Sequence, residues 1–175
     1  MNSFIDQARI YAAYHQNPIT RYTHFAGVPL IIFSLMVFFS FFHLVVPGVF
    51  NITLAAIATV ALLAYYFFLN WRLALALTVI FAILLGLAHL VSRYGPDSQS
   101  VWTFVITFIL GWALLLIGHF IEGKRPALVD NLWQALIAPM FLVAELFFMA
   151  GHLQDLKQQI EGVPAPMDND PVIKP

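Results

Sequence analysis

Long uninterrupted apolar runs dominate the sequence. Four runs of 18 or 19 residues contain no Asp, Glu, Lys or Arg: Val28–Val46, Ile52–Leu69, Leu73–Val91 and Val101–Gly118. At about 1.5 Å per residue, a helix of that length is roughly 27–29 Å long, against a hydrocarbon core of about 30 Å. Each run is therefore predicted to form a helix that crosses a membrane.

A fifth apolar segment, Leu132–Ala150, differs because it carries Gln134, Pro139 and Glu145. An ionisable side chain at mid-bilayer costs about 2.5–3.5 kcal/mol, and proline removes a helical hydrogen bond. We predict two half-helices here that re-enter the membrane or lie at its surface, with a fifth span as the alternative. The predicted fold class is an all-α integral membrane protein with four transmembrane helices plus this re-entrant or interfacial segment.

Basic residues are unevenly divided between the two sides of a four-span arrangement. One side holds Arg9, Arg21, Arg72, Lys124 and Arg125, joined by Lys157 and Lys174 if the fifth segment does not cross, and the other side holds Arg93. The positive-inside rule then places the amino terminus in the cytoplasm. A multi-pass protein of a bacterial inner membrane or of the endoplasmic reticulum fits this distribution.

Composition agrees with a membrane protein. The 175 residues are 61% hydrophobic and 10% charged, with a mean hydropathy of +0.84, whereas soluble domains carry about 25% charged residues. A net charge of -1 gives no indication of a nucleic-acid partner, and the chain has no cysteine. We predict one polytopic domain over residues 1–161 and a disordered, proline-rich tail over 162–175.

The predicted topology sorts the histidines by depth. His15, His24, His119 and His152 fall near the cytoplasmic face, with Glu122, Asp130 and Glu145 nearby in sequence, whereas His43 and His89 fall near the opposite face and are predicted to be structural. Two histidines and one carboxylate are a common iron-binding set. Ordinary hydrogen bonding of histidine at a membrane interface is the alternative, and the residues alone leave both open.

The stretch "YHQNPITRYTHFAGVP" contains a helix start. Asn17 suits the N-cap position and Pro18 the first helical position. We expect a short helix to about Phe25, which Gly27 and Pro29 end or reset before the first span.

A second polar cluster is "GHFIEGKRPALVDN". His119 and Glu122 are three residues apart and share a face on a helix end, which Gly123 is expected to terminate. Lys124 and Arg125 have two interpretations, as topological charges beside a span or as the groups that capture a substrate carboxylate. Glu122 has the alternative role of ion partner to Arg125.

Glu145 and His152 are seven residues apart and share a face if their helix is continuous. A carboxylate in this apolar segment needs a partner. It either pairs with a histidine or a basic residue, or it binds a metal or orients a metal-binding imidazole.

The blocks "HQNPITRYTHFAGVPL", "GHFIEGKRPALVDN" and "APMFLVAELFF" together resemble the Mpo1-like family, in the same order, from about Asp6 to Phe148. The resemblance implies an iron(II)-dependent dioxygenase of fatty acid α-oxidation. Such an enzyme uses O₂ to convert a 2-hydroxy fatty acid into a fatty acid that is shorter by the carboxyl carbon. The family's metal-binding histidines fall on His15, His24 and His119, and its later glutamate falls on Glu145.

The resulting site prediction assigns a role to each candidate residue. We predict Fe(II) ligands at His15, His24, His119 and His152, catalytic carboxylates at Glu122 and Glu145, and substrate binding at Lys124, Arg125 and Asn17. A fatty acid hydroxylase or desaturase is disfavoured because the chain lacks HxxxH and HxxHH boxes. A non-enzymatic membrane carrier or lipid-binding protein remains the alternative, since intramembrane ionisable residues also serve transport.

Overall fold

The computed structural model describes residues 4–14, 16–48, 50–123 and 132–162, and this part of the chain is mainly helical. Its helices are α1 (Phe4–Tyr14), α2 (Pro18–Phe39), α3 (Leu54–Leu69), α4 (Trp71–Ser92), α5 (Ser98–Glu122), α6 (Leu132–Met149) and α7 (Gln154–Glu161). Two short strands, β1 (His43–Val46) and β2 (Phe50–Thr53), form a hairpin between α2 and α3. The helical fold class is confirmed.

Three of these helices, α2, α4 and α5, are long and apolar enough to cross a membrane. They contain 22, 22 and 25 residues, so they are about 33–38 Å long. Helix α3 and the apolar part of α6 are shorter. The protein therefore has the features of an integral membrane protein with three candidate spans in its described part, and the predicted set of four spans plus a re-entrant segment is not confirmed.

Helix α2 is longer at its amino end than the apolar pattern predicts. Asn17 is the N-cap, as expected, and its side chain accepts a hydrogen bond from the Ile19 amide at 2.9 Å. The helix does not stop near Phe25, because it continues through Pro29 to Phe39. Proline inside a helix removes one backbone hydrogen bond, and packing against a neighbouring helix can outweigh that loss.

The hairpin corrects the end of the first predicted span. Residues 43–46 are a strand paired with β2, in the register His43 to Thr53 and Val46 to Phe50. The two consecutive valines of β1 suit an extended strand. The positive φ of Gly48, 74°, suits the turn between the strands. The His43 ring lies 2.8 Å from the Asn51 side-chain oxygen across this hairpin.

Helix α6 occupies the centre of the molecule. Residues 137–145 are all buried, and the helix packs against α1, α2 and α4. The predicted break into two half-helices at Pro139 is wrong, since α6 runs through it. A helix that is apolar on every side becomes a core helix when other helices surround it. The Tyr66 hydroxyl of α3 donates to the Leu136 carbonyl at 2.7 Å, close to the proline.

Helices α2 and α5 are antiparallel and approach each other at three glycines, Gly27, Gly111 and Gly118. A Cβ atom on Gly27 would collide with the Leu115 side chain and lie 2.9 Å from the Gly111 carbonyl oxygen. A Cβ atom on Gly118 would collide with the Thr23 hydroxyl. Small residues at a membrane helix interface allow close backbone approach, and here they place the amino end of α2 against the carboxyl end of α5.

Candidate functional site

The close α2–α5 pairing brings two predicted site histidines together. His24 lies near the start of α2 and His119 in the last turn of α5. Their ring centroids are 4.9 Å apart with the ring planes nearly perpendicular, at 88°. Both residues are buried, with 2% and 6% of their surface exposed. The structure thus joins two residues that are separated by almost a hundred positions in the sequence.

One backbone contact determines which nitrogen of His24 carries a proton. Its Nδ1 atom lies 2.7 Å from the carbonyl oxygen of Thr20, one helical turn earlier. A carbonyl only accepts hydrogen bonds, so a neutral His24 donates through Nδ1 and keeps its lone pair on Nε2. This is the arrangement that metal-binding histidines commonly adopt.

Glu122 is the last residue of α5, and its carboxylate accepts hydrogen bonds from residues at the start of α2. The amides of Gln16 and Asn17 donate to its two carboxylate oxygens at 3.1 and 2.9 Å, and the Thr20 hydroxyl donates at 2.8 Å. A carboxylate at this position satisfies amides that lack helical partners and interacts favourably with the helix dipole. Glu122 therefore ties the two helices together, and its catalytic role stays a prediction.

Glu145 lies on α6 with only 3% of its surface exposed. The nearest described cation is Arg21 of α2, whose Nε atom is 3.4 Å from a carboxylate oxygen. Burial raises the pKa of Glu145, and the charge of Arg21 opposes that change. Burial and then the charge of Glu145 raise the pKa of Tyr11 on α1. The predicted pairing with a basic residue is thus observed, and the structure leaves the catalytic role untested.

His152 is exposed and lies beyond α6. The helix ends at Met149, and Gly151 and Leu153 both have positive φ values, 80° and 55°. The condition of a continuous helix is not met, so the shared face expected for Glu145 and His152 in that case does not arise. His152 as a metal ligand therefore loses its geometric support and stays untested.

Other predicted residues have simpler positions. Asn17 caps α2 with its side chain and donates its amide to Glu122. Gly123 ends α5 in the left-handed conformation, as expected, with a φ of 71°. His15, Lys124, Arg125 and Asp130 lie outside the described residues. Their assignments as ligand, substrate-binding groups or neighbouring carboxylate therefore remain predictions.

The side chains around the histidine pair show how far this site fits an iron ion. Within residues 4–14, 16–48, 50–123 and 132–162, no three His, Asp or Glu side chains group closely enough to hold a metal. The pair formed by His24 and His119 nevertheless supplies two nitrogen donors of the type that iron(II) accepts. Two imidazoles fit part of a coordination sphere, and His15 is the sequence-predicted candidate for a third.

Three neighbours of the pair were not identified from the sequence. Thr20 and Arg21 lie four and three residues before His24, on the same face of α2, and Gly118 immediately precedes His119. The helical spacing of Thr20 and His24 is a usable signal, because residues four apart are in contact. The need for glycine at 118 depends on how closely α2 approaches, which local sequence does not reveal.

These observations define a helical membrane protein with a buried histidine pair between its first and last candidate spans. The chain belongs to the Mpo1-like family. A family model described as 2-hydroxy-palmitic acid dioxygenase Mpo1-like matches residues 1–150. The chain is 34% identical over 158 residues, 89% of its length and 86% of the relative's, to the 2-hydroxy-palmitic acid dioxygenase MPO1 of Saccharomyces cerevisiae. No solved structure matches.

Proposed function

We propose that this protein is an iron(II)-dependent dioxygenase that converts 2-hydroxy fatty acids into fatty acids one carbon shorter. The observation that carries the proposal is the buried pair of His24 and His119. The proposal is also supported by the family match and by the similarity of the chain to a yeast 2-hydroxy-palmitic acid dioxygenase. Two imidazole rings placed edge to face and buried between apolar helices can provide two neutral nitrogen donors to a metal.

The proposed reaction balances with O₂ as the only co-substrate. A 2-hydroxy fatty acid and O₂ give the shortened fatty acid, CO₂ and water. The bond between the carboxyl carbon and C2 breaks, C2 is oxidised to the new carboxyl group, and O₂ accepts four electrons. No second reductant is needed. This stoichiometry agrees with the family's description as dioxygenases.

His24 and His119 would hold the iron in this proposal. The Thr20 carbonyl keeps the proton of His24 on Nδ1, so Nε2 is the donor atom. Iron(II) in such a site supplies the electron exchange with O₂ that protein side chains cannot provide. The chain's own contribution is to hold two imidazoles in fixed orientation and to exclude water by burying both rings.

The depth of the histidine pair suits an amphiphilic substrate. His24 is six residues from the start of α2 and His119 three from the end of α5, so the pair lies roughly 5–9 Å inside the helix ends. In a 2-hydroxy fatty acid the hydroxyl is on the carbon next to the carboxylate, so both groups would lie near the pair while the chain extends along the apolar helices. We propose that Lys124 and Arg125 bind that carboxylate and that this end faces the cytoplasm, as the distribution of basic residues indicates.

Metal binding and product analysis test the proposal together. The detergent-purified protein is loaded anaerobically with iron(II), and its metal content is measured for the native chain, His24→Ala and His119→Ala. We expect bound iron in the native chain and its loss in both variants. Incubation with 2-hydroxypalmitate and O₂ should release a fatty acid one carbon shorter, and each variant should lose this activity at least a hundredfold.

His43→Ala is the matched control, because His43 belongs to the exposed hairpin and bonds to Asn51. It should retain native iron content and activity. If the native chain binds no iron and leaves 2-hydroxypalmitate unchanged, the dioxygenase proposal is wrong. Movement of the lipid across proteoliposomes without chemical change would then favour a carrier.

A further inference from the structure

Thr20 is fully buried in the first turns of α2. Its hydroxyl lies 2.8 Å from a carboxylate oxygen of Glu122 and 3.1 Å from the Gly118 carbonyl oxygen. Both are acceptors on α5, and the shorter contact to the charged carboxylate is the stronger one. The side chain of Thr20 therefore fastens this turn of α2 to the end of α5.

The backbone of the same residue contacts the histidine pair. The Thr20 carbonyl accepts from Nδ1 of His24 at 2.7 Å and from the Thr23 hydroxyl at 2.9 Å. One residue thus bonds to α5 through its side chain and to the His24 ring through its backbone. No element of the proposed reaction requires Thr20 to touch substrate.

The His24 ring lies beside the α5 backbone. A Cβ atom added to Gly118 would be 3.4 Å from both Nδ1 and Cε1 of His24, which is ordinary van der Waals contact. On α5 the ring also meets His119, with centroids 4.9 Å apart. A displacement of the Thr20 carbonyl would therefore lengthen the hydrogen bond that orients the ring between these neighbours.

We propose that Thr20 is the positioning residue that fixes the orientation and tautomer of His24. Glu122 anchors the Thr20 hydroxyl and so fixes this turn. The Thr20 carbonyl accepts the hydrogen bond of the Nδ1–H group, which leaves Nε2 of His24 as the donor atom for a metal shared with His119. The inference rests on the proposed function where it names iron as the ligand. Partners that orient a metal-binding histidine change metal affinity by about 10–100-fold when they are removed.

The test uses the full-length protein and two readouts. Thr20→Val removes the hydroxyl at nearly constant volume, Thr20→Ser restores it, and Thr78→Val is the matched control because the Thr78 hydroxyl bonds only within α4, to Ala74. Ring ¹⁵N NMR of histidine-labelled, metal-free protein reports the tautomer of His24, assigned with His24→Gln. Anaerobic titration with iron(II) alone reports affinity.

We expect Thr20→Val to lose the Nδ1-protonated tautomer of His24 and to bind iron(II) about 10-fold more weakly, the low end of the range because the carbonyl is displaced and not removed. Thr20→Ser and Thr78→Val should match the native chain in both readouts. A native tautomer and native affinity in Thr20→Val would overturn the inference. If that variant does not fold, Thr20→Ala, which adds no bulk, is measured by the same criteria.

The two proposals fail differently. If the native chain binds no iron(II) and leaves 2-hydroxypalmitate unchanged, the proposed function is overturned, and the metal-free NMR comparison still decides the role of Thr20. A changed His24 tautomer in the valine variant then supports positioning, and an unchanged one refutes it. If the native chain binds iron(II) and the valine variant is indistinguishable from it, only the positioning role is lost.

Discussion

Glu122 and Glu145 are two carboxylates that contact the same short stretch of α2 in different ways. Glu122 is bonded by neutral donors, the amides of Gln16 and Asn17 and the hydroxyl of Thr20. Glu145 is more deeply buried, and its carboxylate pairs with the charged guanidinium of Arg21. The first resembles a helix cap supplied by another helix, and the second is an ion pair between a buried carboxylate and a partly exposed guanidinium.

The difference shows how the position of His24 is determined. One carboxylate fixes the amino end of α2 to α5, and the other fixes the next residues of the same helix to the central helix α6. His24 lies four residues after Thr20 and three after Arg21, about one turn from the nearest residue of each attachment. A carboxylate bonded by dipoles tolerates the loss of one donor better than a buried charge tolerates the loss of its cation. The two attachments should therefore fail to different extents.

The largest expected effect comes from removing the cation at the Glu145 attachment. Arg21→Met leaves a buried carboxylate without this partner, and we expect a loss of about 3 kcal/mol in unfolding free energy, the low end for buried pairs because Arg21 is 41% exposed. Glu145→Gln should cost less, since Arg21 can be hydrated. Thermal unfolding in detergent, followed by tryptophan fluorescence, measures both.

The double variant Arg21→Met with Glu145→Gln sharpens this comparison, because it removes both charges and should recover part of the stability lost in Arg21→Met. Equal losses in the two single variants, with simple additivity in the double, would show that no ion pair couples these residues.

The Glu122 attachment is broken by Glu122→Gln, which puts an amide group where three donors converge. One donor must lose its acceptor, so we expect a loss of about 1–3 kcal/mol. Iron(II) affinity should fall as well, because Thr20 loses its anchor. Glu161→Gln, at an exposed pair with Lys157, is the matched control and should unfold like the native chain. Native stability and iron affinity in Glu122→Gln would mean that Glu122 does not hold α2.

The next prediction concerns the close approach of α2 to α5, which brings Glu122 within reach of its donors. In Gly27→Ala the new methyl group meets the Leu115 side chain and the Gly111 backbone, and overpacking of this kind costs about 1–3 kcal/mol. Gly86→Ala on α4 meets nothing within 4 Å and should be neutral or slightly stabilising. Unfolding of both variants is measured in the same detergent, and equal behaviour would contradict the close approach.

The smallest effect is expected at the cap itself. Asn17→Ala removes the side-chain acceptor for the Ile19 amide but keeps the backbone amide that bonds to Glu122. We expect a loss of about 1 kcal/mol in unfolding free energy with iron affinity unchanged, whereas Asn17→Ser should remain near native stability. A loss of iron binding in Asn17→Ala would instead support the predicted role of Asn17 in the site.

Local signals in the sequence predicted a good part of this structure. The N-cap at Asn17, the stop at Gly123 and the helical class follow from residue preferences that act over a few positions. The pairing of His24 with His119 agrees with their common depth in the predicted topology.

Features that depend on distant contacts were missed. Pro29 and Pro139 were expected to interrupt helices, yet both lie inside continuous ones because surrounding helices stabilise them. The glycine contacts are divided between α2 and α5, so no single motif shows them. Likewise, nothing near Glu122 indicates that its donors come from residues about a hundred positions earlier.

The central position of α6 has a consequence for synthesis. A ribosome releases α1 to α5 before α6, the helix that packs against α1, α2 and α4. Arg21 is translated more than a hundred codons before its ion partner Glu145. Until α6 is made, the apolar surfaces that it covers on these earlier helices stay exposed, and a nonsense mutation before codon 137 would leave them exposed permanently.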